Sequence, residues 1–175
     1  MIPICRRIET ERLVLRPYQR ADLPFIPALI GDWDVARWLS RAPYPYTERD
    51  AKDWLGISRR IRWWRRGLPY VVIRREDGAV MGGVGVSFDD NETGYWLGQK
   101  YWGNGYATEA VRGISECVFS HFGLDYLWAG VMQGNERSCR VLEKAGFQWK
   151  GMRRYRLRDG EGDVHYYRRE FEVWS

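Results

Sequence analysis

The chain predicts a mixed α/β protein of the α+β kind, with a mostly antiparallel sheet flanked by helices. Three observations give that class. Residues 69–98 hold three strand-like runs broken by Glu76-Asp77-Gly78 and Asp89-Asp90-Asn91, and an Asp-Gly pair between apolar runs is a strong hairpin signal. The third run passes through a glycine turn into residues 107–122, whose apolar positions Ala107, Ala110, Val111, Ile114, Cys117, Val118 and Phe122 keep the three-and-four spacing of a helix face. A length of 175 residues suits one domain of about 100–200 residues, and no apolar run approaches the roughly 20 residues of a membrane span. Residues 1–175 are expected to form a single domain without linker, repeat or low-complexity tract.

Taken in order, residues 9–17 predict a first strand stopped by Pro17. Asp22 is placed to cap a helix over 23–30 with Gly31 ending it, and residues 34–39 add a further helical turn. Pro43-Tyr44-Pro45-Tyr46 is loop. Thr47-x-x-Asp50 predicts a capping box opening a long helix. Along that helix Trp54, Ile57, Ile61, Trp64 and then Leu68 form an apolar stripe, surrounded by Arg59, Arg60, Arg62, Arg65 and Arg66. Arginines interleaved with Trp63 and Trp64 are also the composition of a single-strand nucleic-acid platform. The expectation is the plainer alternative: core tryptophans and solvated arginines, with nucleic acid not a partner.

Residues 69–75 and 80–88 are strands of a hairpin, and Gly82, Gly83 and Gly85 in the second predict a bulge or a close contact. Residues 92–98 are the third strand. Gly123 ends the helix that follows, and residues 126–131 are another strand. Asn135 is a candidate N-cap for a short helix ended by Gly146. Residues 149–158 and 164–174 are two last strands around Asp159-Gly160-Glu161-Gly162.

The strand, glycine turn and helix start at residues 95–108 form an anion site in principle. The first N–H groups of a helix lack intrahelical partners, and the peptide dipoles aim positive charge at the same spot. Gly103 and Gly105 remove side chains that would hold a phosphate away. Gly-x-x-x-x-Gly-Lys-Ser/Thr is absent, and Thr108 occupies the third glycine of a Gly-x-Gly-x-x-Gly fingerprint. A meander feeding a helix also differs from a dinucleotide-binding start.

Charge and cysteines add bounds. Net charge is +5, with lysine only at Lys52, Lys100, Lys144 and Lys150. A modest, dispersed excess fits surface solubility better than a dedicated anionic partner. Cys5, Cys117 and Cys139 are odd in number and far apart, which predicts reduced thiols in cytoplasm and neither a zinc site nor a disulfide frame. His121 and His165 are too few to argue for a metal or a triad. Residues 1–7 carry no apolar segment of a signal peptide.

Trp102-Gly103-Asn104-Gly105-Tyr106-Ala107 resembles the pyrophosphate loop of the GNAT N-acetyltransferases, Arg/Gln-x-x-Gly-x-Gly/Ala. The longer string Tyr-Trp-Leu-Gly-x-x-Tyr-Trp-Gly-x-Gly-Tyr-Ala-Thr-Glu-Ala looks like the ribosomal-protein N-acetyltransferase (RimJ/RimL-like) branch. Asn135-x-x-Ser138-x-x-Val141-Leu142-Glu143-Lys144-x-Gly146-Phe147 resembles the family's second block, and Thr10-Glu11-Arg12-Leu13 resembles the branch's opening. The similarity runs from about Thr10 to Trp174. It implies the GNAT acyl-CoA N-acyltransferase fold with two splayed strands, and acetyl-CoA as co-substrate with no metal. It implies an amine acceptor, either a protein N-terminal amine or a small molecule such as an antibiotic or amino-acid derivative. A catalytically silent CoA-binding or RNA-associated module is the other alternative, and a homodimer is possible within the family.

On that resemblance, the main chain at Trp102, Gly103, Asn104, Gly105, Tyr106, Ala107 and Thr108 is expected to hold the diphosphate. Trp96, Leu97 and Gly98 are expected to bond the pantetheine arm, with an N–H near Leu97 or Gly98 polarising the thioester. Asn135, Ser138 and Lys144 complete the expected cofactor set. Acetyl transfer to an amine needs a base, an attack and a protonated leaving group, and positioning does much of the work. Glu92 is the candidate base, through water, or else an exposed turn carboxylate. Many relatives protonate the sulfur with a tyrosine where this chain has Leu142. Ser138 is the remaining candidate acid, or else a capping and CoA-contacting residue, and Asn135 supports it. Residues 152–157 hold no carboxylate, so no base is expected there. Trp102 replaces the usual Arg or Gln.

Overall fold

The computed structural model describes residues 5–171. Five antiparallel strands form one sheet in the order β1 (Ile8–Glu9), β2 (Leu13–Pro17), β3 (Gly67–Arg74), β4 (Val80–Ser87), β5 (Thr93–Leu97). Three more, β6 (Tyr126–Met132), β8 (Gly160–Glu170) and β7 (Gln148–Leu157), form a second sheet in that order. The helices are α1 (Ile26–Ile30), α2 (Trp33–Ala36), α3 (Glu48–Trp63), α4 (Tyr106–Phe122) and α5 (Glu136–Lys144).

The sheets join at one parallel bridge, Glu92 to Trp128, beside which the Trp128 indole N–H donates to the Asp90 carbonyl (2.8 Å). Beyond it β5 and β6 part. Because β5, α4 and β6 form a parallel crossover, the N-terminus of α4 falls at the carboxyl end of β5, at the mouth of the gap. β3 lies in mid-sheet and is buried from Gly67 to Ile73, so its sequence is continuously apolar rather than alternating. Leu13, Leu15, Tyr70, Met81, Ile114, Leu127 and Leu142 are among the most buried side chains.

Several expectations hold. Thr47 and Asp50 form the capping box of α3, Gly123 ends α4 in the left-handed region (φ 66°), and Asn135 caps α5. The glycines of β4 serve close contact: a Cβ at Gly82 would strike the Trp96 carbonyl, and one at Gly83 would strike the Tyr18 hydroxyl and the Trp96 indole. The strand expected over 9–17 is instead two, turned by the Thr10 N–H donating to the Leu13 carbonyl (3.0 Å). Asp22 does not cap a helix over 23–30; its carboxylate accepts from the Gln19 N–H (2.7 Å) in the capping box of a single 3-10 turn, Arg20–Asp22. It is buried and takes a two-pronged contact from the Arg16 guanidinium (2.7 and 2.8 Å), and Pro24 and Pro27 confine the helix to Ile26–Ile30. The final turn is tighter than expected, β8 starting at Gly160. The end of the last expected strand, at Trp174, and the first four residues of the leader reading lie outside the described residues.

The stripe on α3 is also corrected. Its core face is Ala51, Leu55 and Ser58, while Trp54, Ile57 and Ile61 line the cleft described below, and Trp63 and Trp64 are 82% and 69% exposed. Periodicity reports an apolar face but not whether core, cleft or solvent lies against it.

The thiols are corrected as well. Gly113 on α4 lacks the Cβ that would meet the Thr10 methyl, so β1 lies close along the helix. Cys117 sits one turn further on, and the chain entering β1 brings Cys5 to it; the two form a disulfide and Cys139 alone is free. His121 lies beside the pair, within 4.8 Å, but both sulfurs are taken by the bond. Their separation of 112 residues hides the pairing from sequence. Among the described residues no helix is long and apolar enough to cross a membrane.

Candidate active site

The gap between β5 and β6 opens into a cleft of about 1440 Å³. One end is the glycine turn. Gly103 and Gly105 both adopt positive φ (78° and 79°), and Gly105 is the N-cap of the 17-residue α4. The N–H groups of Gly103, Asn104 and Gly105 meet no acceptor among the described residues, and those of Tyr106, Ala107 and Thr108 are the unpaired first turn of the helix. Space beside Gly103 is open. One donor expected in this cradle is spent: the Trp102 N–H donates to the Gln99 carbonyl (3.0 Å). The Asn104 side chain turns back to the Trp102 carbonyl (3.0 Å) and leaves the Asn104 N–H free. The Trp102 indole instead donates to the Leu97 carbonyl (2.9 Å), tying the turn to β5.

Sequence reading missed what holds the turn. Arg12, in the bend just before β2, donates to the Asn104 carbonyl (2.9 Å) and to Glu109 (2.7 Å), and stacks over Tyr106 (4.5 Å). Glu109 also accepts from the Thr10 hydroxyl (2.6 Å) and the Arg12 N–H (2.7 Å). Burial alone would raise its carboxyl, but these donors outweigh burial and hold it below the usual range. Arg137 was missed too: its guanidinium lies 4.8 Å over the Trp102 ring, and with Arg140 and Lys144 it gives the cleft side of α5 a basic rim. Their i, i+3, i+7 spacing carried that information.

Along β5 the ladder decides which amides are available. Ser87 donates to the Glu92 carbonyl (2.8 Å) and Gly98 to the Met81 carbonyl (2.9 Å), with unbroken register between. By antiparallel alternation, the main-chain groups of Gly94 and Trp96 face β4, and those of Tyr95 and Leu97 face the open edge. Of the two donors expected near the thioester, Leu97 and Gly98, Leu97 is therefore the free one. Gly98 is withdrawn from the site: its N–H is used, and it packs against Leu29 on α1.

Opposite β5, Ser138 lies in the first turn of α5. Its N–H meets the Asn135 carboxamide oxygen (3.3 Å), so Asn135 is engaged in capping. The Ser138 hydroxyl is 2.5 Å from that of Tyr95, a residue the sequence reading passed over. Burial pushes the Tyr95 phenol upward, with the bond to Ser138 opposing, so it stays protonated at neutral pH. Leu142 is fully buried in the core.

Glu92 stands at the other end of β5. It is mostly buried and accepts from Arg41 (2.8 Å) and from the Tyr155 hydroxyl (2.6 Å). The Tyr155 phenol is pushed up to about 12, by burial first and then by the Glu92 carboxylate. Residues 152–157 thus bring a phenol to the site rather than a carboxylate. Arg158 holds the loop bearing Arg41 through the carbonyls of Ala36 (2.7 Å), Leu39 (3.1 Å) and Ala42 (3.2 Å). Tyr18, Tyr46, Trp54 and Trp96 also line the cleft. Neither histidine nor Cys139 lines the cleft.

A ladder of unpaired N–H groups, a roomy glycine turn and a basic rim fit the diphosphate and arm of coenzyme A. The Acetyltransferase (GNAT) domain family matches this chain over residues 12–148. The chain is 30% identical over 166 residues to the uncharacterized N-acetyltransferase YoaA of Bacillus subtilis, covering 91% of this chain and 92% of that one. The fold superposes on a ribosomal-protein-S5-alanine acetyltransferase from Vibrio fischeri (TM-score 0.80, 20% identity, 97% and 98% of the chains). It superposes equally on Mycobacterium smegmatis RimJ in complex with CoA-disulfide (TM-score 0.80, 21% identity, 90% and 81%). The chain belongs to the GNAT family of acetyl-CoA-dependent N-acetyltransferases.

Proposed function

We propose that the enzyme moves an acetyl group directly from acetyl-CoA to a primary amine, and that the acceptor is the α-amine of a peptide or protein N-terminus. Bound acetyl-CoA supplies the activated acetyl thioester. In this reading the N–H groups of residues 103–108 with Arg137, Arg140 and Lys144 hold its phosphates. The Leu97 N–H is the donor placed for the carbonyl oxygen, where it stabilises most as negative charge develops. As the C–N bond forms and the C–S bond breaks, Ser138 passes a proton to the departing sulfur and recovers one from water, Tyr95 staying protonated and hydrogen-bonded to it, while the amine's proton leaves through water. Direct attack is favoured because no histidine or free cysteine lines the cleft.

The observation that carries the acceptor class is the state of Glu92. Both of its oxygens are already engaged, by Arg41 and Tyr155, so it meets the amine's proton through water rather than by direct contact. An α-amine, with a pKa of about 7.7–8.0, needs little help, whereas a lysine at about 10.4 needs much more. Residues 94–96 support a route for the amine: on the face of β5 shared by Glu92 and Trp96, Gly94 is exposed and nothing lies within 4 Å of where its Cβ would be. The disulfide removes the argument from reduced thiols, so cytoplasmic residence rests on the acceptor class alone.

The test is thiol release from acetyl-CoA with three acceptor sets: peptides with a free N-terminus, the same peptides N-blocked but bearing lysine, and small amines including aminoglycosides and amino acids. Turnover confined to the first set is expected. Turnover only with small amines overturns the acceptor class while leaving the transfer reaction intact.

A further inference from the structure

The two most exposed large apolar side chains among the described residues are neighbours, Trp63 (82%) and Trp64 (69%), at the carboxyl end of α3. Arg59, Arg60 and Arg65 are exposed around them and form no ion pair among the described residues, whereas Arg66 is paired with Asp89 (2.6 Å). No acidic residue occurs between Asp53 and Glu76. None of Arg59, Arg60, Trp63, Trp64 and Arg65 lines the cleft. The helix dipole accounts for cations in a last turn, but not for two indoles in water.

We propose that this surface binds single-stranded nucleic acid, the indoles stacking on bases and the three arginines meeting phosphates. Stacking rings interleaved with guanidinium groups fit a flexible polyanion with aromatic bases. Self-pairing fits poorly, because two copies would oppose arginines with no carboxylate between them. An anionic membrane fits less well, because an interfacial helix lays a long apolar face on the lipid. Here Ala51 and Leu55 are core, Trp54, Ile57 and Ile61 face the cleft, and only the helix tip is left. The surface lies beyond the acceptor chemistry and does not depend on which amine is used.

The test is fluorescence anisotropy of a labelled oligouridylate of roughly 12 nucleotides, titrated with the full chain at several salt concentrations and with saturating CoA. Binding should survive CoA, and its logarithm should fall with log salt at a slope of about −2, for three phosphates on a single strand. Trp63→Ala/Trp64→Ala should weaken binding roughly tenfold or more with the slope retained. Arg59→Gln/Arg60→Gln/Arg65→Gln should flatten the slope. Both variants should keep the wild-type melting temperature and bind CoA with wild-type affinity. Displacement by CoA would place the strand in the cradle and overturn the proposal. So would binding unchanged in both variants, no binding at low salt, or concentration-dependent dimers or attachment to phosphatidylserine vesicles in place of oligonucleotide binding.

Discussion

The hydroxyls of Tyr95 and Ser138 lie 2.5 Å apart across the gap between β5 and α5. Their contact gives the site a phenol although the family's usual tyrosine position is Leu142. Ser138→Ala should lower kcat about tenfold to a hundredfold, the range of a modest general acid, with KM for acetyl-CoA within about twofold. Tyr95→Phe should lower kcat less, and the double variant should be no worse than Ser138→Ala. Steady-state kinetics decide it: equal losses in turnover and CoA affinity would reduce Ser138 to a binding residue.

Gly105→Glu should abolish CoA binding in calorimetry. The site needs φ of 79°, and a carboxylate there would oppose the diphosphate in charge and space. Wild-type affinity in this variant would move the cradle elsewhere.

Gly94→Val tests the amine's route. The backbone there is ordinary strand and the space is open, so the fold should persist. KM for the amine should rise by about tenfold, an order-of-magnitude figure for a steric block in a binding site, while CoA affinity stays unchanged. An unaltered amine KM would mean the acceptor enters by another path.

Glu92→Gln should lower kcat/KM at pH 7 by about tenfold. The deficit should narrow above about pH 8, where an α-amine is already neutral. A loss independent of pH would leave Glu92 only the task of holding Arg41 and Tyr155.

Glu109→Gln addresses stability. The Glu109 carboxyl is held below its ordinary 4.5, so its ionised contacts stabilise the fold above that value and are lost as pH falls through the folded-state pKa. The variant should be less stable than wild type at pH 7 by about 1–2 kcal/mol, as for a partly retained hydrogen bond to a charged group. Denaturation at neutral and acid pH should show the gap closing below 4.5. A gap of constant size would point to packing instead.

Local chemistry was legible wherever a few consecutive residues carry it. The capping box at Thr47 and Asp50, the Asp77-Gly78 hairpin, the Gly103 and Gly105 turn and the Asn135 cap could each be read from neighbours within four positions. So could the Arg137, Arg140 and Lys144 rim, though its spacing went unused. Contacts across the chain were not legible. Arg12 reaches Glu109, Tyr155 reaches Glu92 and Cys5 reaches Cys117, each across a separation that periodicity does not register.

The sequence by itself determined the family, the order of elements and the anion-binding turn, because those rest on backbone preferences and short spacings. Only the tertiary structure decided which of those N–H groups remain free, that Tyr95 stands against Ser138, and that Trp63 and Trp64 face solvent instead of the core. The physical reason is that hydrogen-bond partners and burial are properties of what packs against a residue, and strand register and helix docking choose that partner from distant parts of the chain.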